Sequence, residues 1–536
     1  MTEPLWIAGA WRASDEPTGT FRAIDPATGE AIGPAFPRSS PADVERAVAA
    51  AAAAALALAE LDPARIDGFL DDYAARIDGD AEALVAIAAR ETGLPREPRL
   101  LRVELPRTTG QLRQAAEAVR TASFAQPTID TRAGLRACFA ALRKPVLVLG
   151  PNNFPFAFNA IAGGDFAAAL AAGNPVIAKA HPSHPATSQA LAVHAAAALA
   201  AAELPSGAIQ LIYDLPHPLG LRLAGDDRLG AIAFTGSRRG GLALKAAADA
   251  AAVPIYLEMS SINPVFILPG ALDQRGAAIA EELTSSCTLG AGQFCTNPGL
   301  VVLADSPAAR DFIAEATRRF AAAPPALLLS PGVRDELEAS VAALTAAGAR
   351  VLAGGARGPG AGCWFQPTLL SATAAQLLAN PALQREAFGP VTLVVVAPDA
   401  AALPVIAGAL EGNLTASLYA AADGHDEAPY RAVARVLRGR VGRLLDDKMP
   451  TGVAVSPAMV HGGPFPATAH PGFTSVGMPA AIRRFAALHA YDHVGDAHLP
   501  PVLRDRNPGA VWRSIDGQWT TEDVAAERAG GQEHRS

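Results

Sequence analysis

Between about residues 145 and 255 short apolar bursts alternate with helical stretches, and this alternation constrains the fold more than any other feature of the chain. The bursts Pro145-Val146-Leu147-Val148-Leu149-Gly150, Pro175-Val176-Ile177-Ala178-Lys179, Ile209-Gln210-Leu211-Ile212 and Ala231-Ile232-Ala233-Phe234 are the kind of run that a strand buried on both faces requires. Gly164 to Ala172 and Pro185 to Ala202 read as helices between them. Strand and helix in strict succession build parallel sheets with helices on their faces, which makes this an α/β chain. A second alternating block follows, with a strand at Pro264-Val265-Phe266-Ile267-Leu268, a helix across 276–290 and strands near 299–303 and 391–397. The expected organisation is therefore one α/β domain over 1–257, a second over 258–455, and a return of 456–536 to the first, ending in an arm or tail. The segment from Gln126 to Lys144 (126–144) interrupts the first pattern and reads as an arm that docks on a neighbouring subunit; 526–536 reads equally well as a solvated tail.

A chain of 536 residues with 50% hydrophobic and only 18% charged content can bury a large core, and it is too long for one ordinary domain. Its net charge of −8 is mild and no long basic block interrupts it, which argues against nucleic acid or an anionic membrane as partner and points to small molecules. Alanine-rich runs such as Ala49 to Ala59 are soon broken by charge and read as soluble helices, and the N-terminus lacks a basic region followed by an apolar one. The 4 cysteines, Cys138, Cys287, Cys295 and Cys363, are spaced neither as a disulfide framework nor as a zinc site. Free thiols in a reducing, cytoplasmic compartment and no metal are expected.

Chemistry concentrates in Gly290-Ala291-Gly292-Gln293-Phe294-Cys295-Thr296-Asn297-Pro298-Gly299, where one thiol sits among glycines, amides and a turn. Glycines let backbone N–H groups approach a reacting atom, and a thiolate needs such donors, so the setting suits a nucleophile. Three further positions stand at strand ends, where open α/β sheets carry their ligands. Asn153 lies in the loop Pro151-Asn152-Asn153-Phe154-Pro155, Lys179 closes its strand, and Thr235-Gly236-Ser237 opens a helix whose N–H groups can face a phosphate. Each also has an ordinary reading as turn, solvated lysine and helix cap. No Gly-x-Gly-x-x-Gly fingerprint follows any of these strands.

Asn153 within Asn-Phe-Pro, Lys179, Phe234-Thr235-Gly236-Ser237, Glu258 in Leu-Glu-Met-Ser, Gly292-Gln293-Phe294-Cys295 and Glu386-Ala387-Phe388-Gly389-Pro390 occur in the order of the aldehyde dehydrogenase superfamily, which the chain resembles from about residue 20 to 510. Glu258-Met259-Ser260-Ser261-Ile262-Asn263-Pro264, Lys179-Ala-His-Pro-Ser-His-Pro and His461-Gly-Gly-Pro-Phe-Pro-Ala-Thr look like the branch containing 2,5-dioxopentanoate (α-ketoglutarate semialdehyde) dehydrogenases and NADP-using fatty aldehyde dehydrogenases. The resemblance implies two α/β domains, the first binding the cofactor, with an oligomerisation arm, and a homodimer or homotetramer. It implies that the Cys295 thiolate attacks the aldehyde, that the Asn153 amide holds the oxyanion, and that Glu258 activates water for thioester hydrolysis. Glu258 ends the apolar run Val253 to Leu257, so burial is expected to raise its pKa.

For the cofactor, the resemblance assigns Lys179 and Glu386 to the ribose hydroxyls, Thr235, Gly236 and Ser237 to the pyrophosphate turn, and Phe388 to the nicotinamide. Pro182 stands where many NAD-preferring relatives carry a Glu, and His217 where NADP users tend to have an Arg. The expected cofactor is NADP or NAD, with NADP favoured, and Arg238-Arg239 are further cations near the phosphate turn. For the substrate, Arg107 or Arg113 in Arg107-Thr108-Thr109-Gly110-Gln111-Leu112-Arg113 is a candidate carboxylate anchor, although both also read as solvated helix charges. Phe156, Phe158 and Phe294 are candidate tunnel walls. Asp446-Asp447-Lys448-Met449 and Pro151-Asn152 depart from the family pattern beside the substrate mouth. A non-catalytic protein on the same fold is the alternative of another class.

Overall fold

The bursts expected as strands become neighbours in a single seven-stranded sheet in the computed structural model, which describes residues 2–525. Its order is Ile255–Glu258, Ala231–Thr235, Val146–Leu149, Val176–Lys179 and Ile209–Ile212, all parallel, followed by the antiparallel edge strands Leu5–Ile7 and Ala10–Arg12. The first strand in sequence of the parallel set, Val146–Leu149, lies in the middle, so chain progression reverses there and opens a crevice at the carboxyl ends. Register fixes what lines that crevice: Leu149 pairs with Lys179 on one side and Phe234 on the other, and Thr235 pairs with Glu258.

The intervening helices Gly164–Ala171 and Pro185–Ala201 fall where the sequence places them. Pro41–Ala59 lies directly on the strands Val176–Lys179, Ile209–Ile212 and Leu5–Ile7, while Pro63–Gly79, Ala81–Thr92 and Leu105–Arg120 pack against Gly164–Ala171 and Pro185–Ala201, and the apolar residues of all four join the same core cluster. Ser40 and Asp43 close a reciprocal capping box at the start of Pro41–Ala59, satisfying two of the orphan N–H groups there. Among the described residues no single helix is long and apolar enough to cross a membrane; Pro41–Ala59 with Pro63–Gly79 reaches that threshold only as a pair bent by 119°, and both bury an apolar face in the core.

The second sheet is also seven-stranded, in the order Arg350–Ala353, Thr368–Thr373, Val391–Ala397, Leu300–Ala304, Val265–Ile267, Asn413–Tyr419 and Val441–Asp446, with only the first strand antiparallel. Core clusters on its two faces hold it between helices, among them Pro269–Thr288, which begins earlier than expected. The segment at 126–144 forms Thr128–Asp130 and Leu135–Ala141, which share a five-stranded sheet with Ala486–Asp492, Arg513–Ile515 and Gln518–Thr520 from the C-terminal part. The stretch 526–536 lies outside the described residues.

Candidate active site

The loop carrying Cys295 is built by three consecutive left-handed residues, Gly290, Ala291 and Gly292, at φ 55°, 59° and 66°. Gly292 has no substitute, because a Cβ there would stand 2.2 Å from the Gly389 carbonyl oxygen. The thiol loop and the segment holding Glu386 and Phe388 therefore meet backbone to backbone. Behind the thiol, the Asn263 amide donates to the carbonyls of Cys295 and Asn297, both at 2.9 Å, and the Gly452 N–H donates to the hydroxyl of buried Thr296. Cys295 remains half-buried while Cys138, Cys287 and Cys363 are buried free thiols, and burial pushes the Cys287 thiol up to about 12. Cys287 lies in the core of the second domain.

Glu258 ends its strand 2% exposed, and the return segment 461–475 closes over it. Met259 N–H donates to the Ala467 carbonyl, and the Ser475 hydroxyl donates to Glu258 Oε2 at 2.6 Å. His461, fixed through its own N–H by the Thr474 hydroxyl, brings Nε2 to 2.8 Å from Glu258 Oε1 and 3.1 Å from Cys295 Sγ. Burial pushes the Glu258 carboxyl up as the sequence implied, but the charge and hydrogen bond of His461, with the bonds from Ser475 and Cys295, outweigh it and hold the group below its ordinary range. The net direction is thus opposite to the expectation. Burial alone would lower the His461 imidazole, yet Glu258 and Cys295 raise it from 6.5 to about 10. Sequence reasoning quoted His461 only as a mark of the branch; nothing local announces that a histidine 166 positions from Cys295 reaches its sulfur.

Asn153 is buried beside the thiol loop, its side-chain N–H donating to the Gln293 carbonyl at 2.9 Å. Its carbonyl accepts from Arg99 at 3.0 Å, and the His184 ring lies 3.2 Å from the Pro151 carbonyl just upstream. Of the two candidate anchors, Arg113 is the solvated helix charge, paired with Asp78 at 2.6 Å. Arg107 points inward: Nε and Nη2 are buried without a hydrogen-bond partner among the described residues, and the guanidinium lies over the rings of Phe154 and Phe158 at 5.5 and 5.1 Å. Burial holds its pKa below the usual arginine range against the opposing pull of Cys295 and Glu104. Arg443, which the sequence did not single out, also faces Cys295 with a buried, unpartnered Nε.

Phe154, Phe158 and Phe294 form an apolar cluster with Val476, rimmed by Val453 and Met459. Phe156 is not part of it; it turns into the main core and is fully buried there. The departure at 446–449 leaves this wall untouched. Asp446, Asp447 and Lys448 are exposed, Asp447 pairs with Arg275, and Met449 is buried in the second domain's core.

The cofactor candidates line the same crevice but stand in the open. Lys179 is half-buried, its pKa lowered by burial and partly restored by Asp214, which is itself paired with Arg38 at 3.3 Å. Thr235 and Gly236 are half-buried, and exposed Ser237 caps its own helix, Arg238–Ala250, through the Gly240 N–H. Pro182 is half-buried, and His217 is exposed at the start of a helix. Arg238 is engaged by Glu411 at 2.9 Å. Glu386 is half-buried against Ser260 and Ser261; burial raises its carboxyl to about 7 against those two hydrogen bonds. Phe388 is half-buried one residue before Gly389. A half-buried lysine at a strand end, a helix start and a reversing strand order suit a dinucleotide. Glu258, Cys295 and His461 offer ligand atoms within 4.8 Å of one another, spacing that would admit a metal ion, but the cations Arg107 and Arg443 face the same thiol and disfavour one.

A thiol, a carboxylate and an imidazole in mutual contact beside an oxyanion donor define a site for covalent catalysis by sulfur, and the dinucleotide-suited strand ends of the doubly wound sheet point to an oxidoreductase. Residues 11–438 match the Aldehyde dehydrogenase family, and the chain belongs to that family. It is an enzyme that oxidises an aldehyde to a carboxylic acid with a nicotinamide cofactor. It is 42% identical over 517 residues to alpha-ketoglutaric semialdehyde dehydrogenase 2 of Azospirillum brasilense, covering 93% of this chain and 96% of that one. With alpha-ketoglutaric semialdehyde dehydrogenase of Acinetobacter baylyi it shares 37% identity over 530 residues, covering 96% and 98%. Among solved structures, PnpE from Pseudomonas sp. WBC-3 superposes with a TM-score of 0.78 at 23% identity over 92% of this chain and 97% of that chain, and lactaldehyde dehydrogenase from Escherichia coli with 0.78 at 21% over 91% and 98%. These two share the fold.

Proposed function

We propose that the substrate is 2,5-dioxopentanoate or a closely similar semialdehyde bearing a carboxylate. The observation that carries this reading is Arg107, a buried guanidinium with unpartnered nitrogens beside the thiol, an arrangement that a fatty aldehyde has no use for. The names of the two relatives described above support it. Arg107 binds the substrate carboxylate, and the Phe154–Phe158–Phe294 wall packs the chain between carboxylate and aldehyde. The His461 imidazolium faces the Cys295 sulfur and stabilises it as the thiolate that attacks the aldehyde carbon; the Asn153 amide turns from the Gln293 carbonyl to the developing oxyanion. Lys179 and Glu386 would hold the ribose hydroxyls of a nicotinamide dinucleotide, Thr235, Gly236 and Ser237 its pyrophosphate and Phe388 its nicotinamide ring, which would supply the acceptor for the hydride. Glu258, already ionised and oriented by Ser475, draws a proton from the water that hydrolyses the thioester, and the acid leaves. NADP is the favoured cofactor with NAD accepted, Arg38 being a cation at the ribose edge, His217 an exposed ring there that can hydrogen-bond a phosphate, and Asp214 an opposing charge. The enzyme works as a homodimer or homotetramer in the cytoplasm, the exposed Leu488 and Trp519 of the five-stranded sheet supplying apolar surface for a second copy.

The test is reduced-cofactor formation by wild type and Arg107→Met, with 2,5-dioxopentanoate and octanal, each against NADP and NAD. Losing charge-assisted hydrogen bonds to a carboxylate is expected to lower kcat/KM for the dioxo acid roughly 10- to 150-fold, with octanal oxidation nearly unchanged. A wild type that prefers octanal, or a variant that loses both substrates equally, overturns the substrate assignment.

A further inference from the structure

We propose that Arg99 and Glu104 form a positioning pair that presets the loop 153–157 for the reaction at Cys295. Glu104 closes the helical segment Arg96–Glu104 just before the helix Leu105–Arg120 that carries Arg107, and it is 0% exposed. One carboxylate oxygen accepts the N–H groups of Phe156 at 2.8 Å and Ala157 at 3.1 Å; the other meets the Arg99 guanidinium. Arg99 reaches the opposite end of the same loop, donating to the Asn153 carbonyl at 3.0 Å. Its guanidinium also lies over Phe154 at 4.6 Å and over Phe294, the neighbour of Cys295, at 5.3 Å. One ion pair therefore holds the carbonyl of 153, the ring of 154 and the amides of 156 and 157, and touches the thiol loop.

Stability does not account for such a pair. Two charges taken out of water repay their desolvation poorly, and apolar side chains of similar volume usually stabilise a core as well or better. What the pair supplies is geometry. The loop it grips contains no helix or strand, and it carries the amide that must meet a developing oxyanion, where a displacement of about 1 Å costs on the order of 10²-fold in rate. Arg99 and Glu104 touch neither the sulfur nor any group assigned to the cofactor; they act through Asn153.

The experiment is a cycle between the charge-removed variant Arg99→Met/Glu104→Gln, which leaves no lone buried charge and keeps an acceptor for the two amides, and Asn153→Ala. The readouts are the pre-steady-state burst of reduced cofactor, cofactor affinity by fluorescence and the unfolding midpoint. Wild type assayed with both 2,5-dioxopentanoate and octanal is the reference, so the inference needs only aldehyde oxidation and survives a wrong substrate assignment. The expected result is a burst slowed by about 10²-fold with cofactor affinity kept, and less than about threefold further loss when the pair is removed from Asn153→Ala, because the two act as one unit. Equal losses on both backgrounds, or a wild-type burst, overturn it. Should the double variant not fold, Arg99→Lys, which keeps the charge and loses the fork, is put through the same cycle: sub-additive loss supports the role, and additive loss or none overturns it.

Discussion

Two groups of side chains meet in one crevice and are held in opposite ways. Lys179, Thr235, Gly236, Ser237 and His217 are half-buried or exposed, and each is set by its own strand end or helix start. Buried Glu258 and His461 and half-buried Cys295 come from a strand end, a return segment and a glycine loop, and beyond its own support each is in contact with the others. The first arrangement tolerates the loss of a member, because its neighbours keep their places. The second resembles a buried polar network, in which one member's removal strands the rest.

If the buried set acts as a unit and the open set does not, the largest expected effect is at Glu258. Glu258→Gln keeps the hydrogen-bonding shape but cannot take a proton, so thioester hydrolysis stalls: one burst of reduced cofactor persists and steady turnover falls on the order of 10³-fold. Stopped-flow absorbance separates the two phases, and undiminished steady turnover would break the assignment. His461→Gln comes next. Without the imidazole 3.1 Å from Sγ, both the burst and the rate of Cys295 alkylation by iodoacetamide are expected to fall by about 10²-fold. An alkylation rate equal to wild type would show that His461 only supports Glu258, and the comparison would narrow to a pair.

How much of this was legible in the sequence follows from the same difference. The strands at 146–149, 176–179, 209–212 and 231–235 stood out because burial on both faces leaves unbroken apolar runs, and the groups at their ends came with them. Cys295, Glu258 and Asn153 were found through motifs, and the structure brings them together. His461 was visible as a letter in a motif, but its partners lie far away in the chain, and no periodicity encodes a contact across that distance. The sign of the Glu258 shift was missed for that reason: burial is readable from flanking apolar residues, whereas a counter-charge is not. Phe156 illustrates a smaller limit, since alternate residues of an irregular loop face opposite ways without a fixed period. The choice between Arg107 and Arg113 needed the helix Leu105–Arg120 docked before one could be seen facing inward and the other paired with Asp78.

The smallest expected effect is thermodynamic and follows from charge placement alone. His461 is raised from 6.5 to about 10, so the folded chain keeps a proton that the unfolded chain releases; this contribution is complete below pH 6.5 and is lost as pH rises toward 10. Glu258 is held below 4.5, so its contribution is present above pH 4.5 and is lost as pH falls through its lower folded value. Both are complete together only between pH 4.5 and 6.5. Replacing the two at once, His461→Gln with Glu258→Gln, avoids leaving either charge buried alone and removes both slopes. The unfolding midpoint of wild type relative to this double variant is therefore expected to be highest near pH 6 and to decline by a few degrees toward pH 10. A difference that stays flat over that range would mean that the imidazole is neutral in the folded protein. The buried set would then be joined by neutral hydrogen bonds instead of charge, and its electrostatic contrast with the open cofactor edge would disappear.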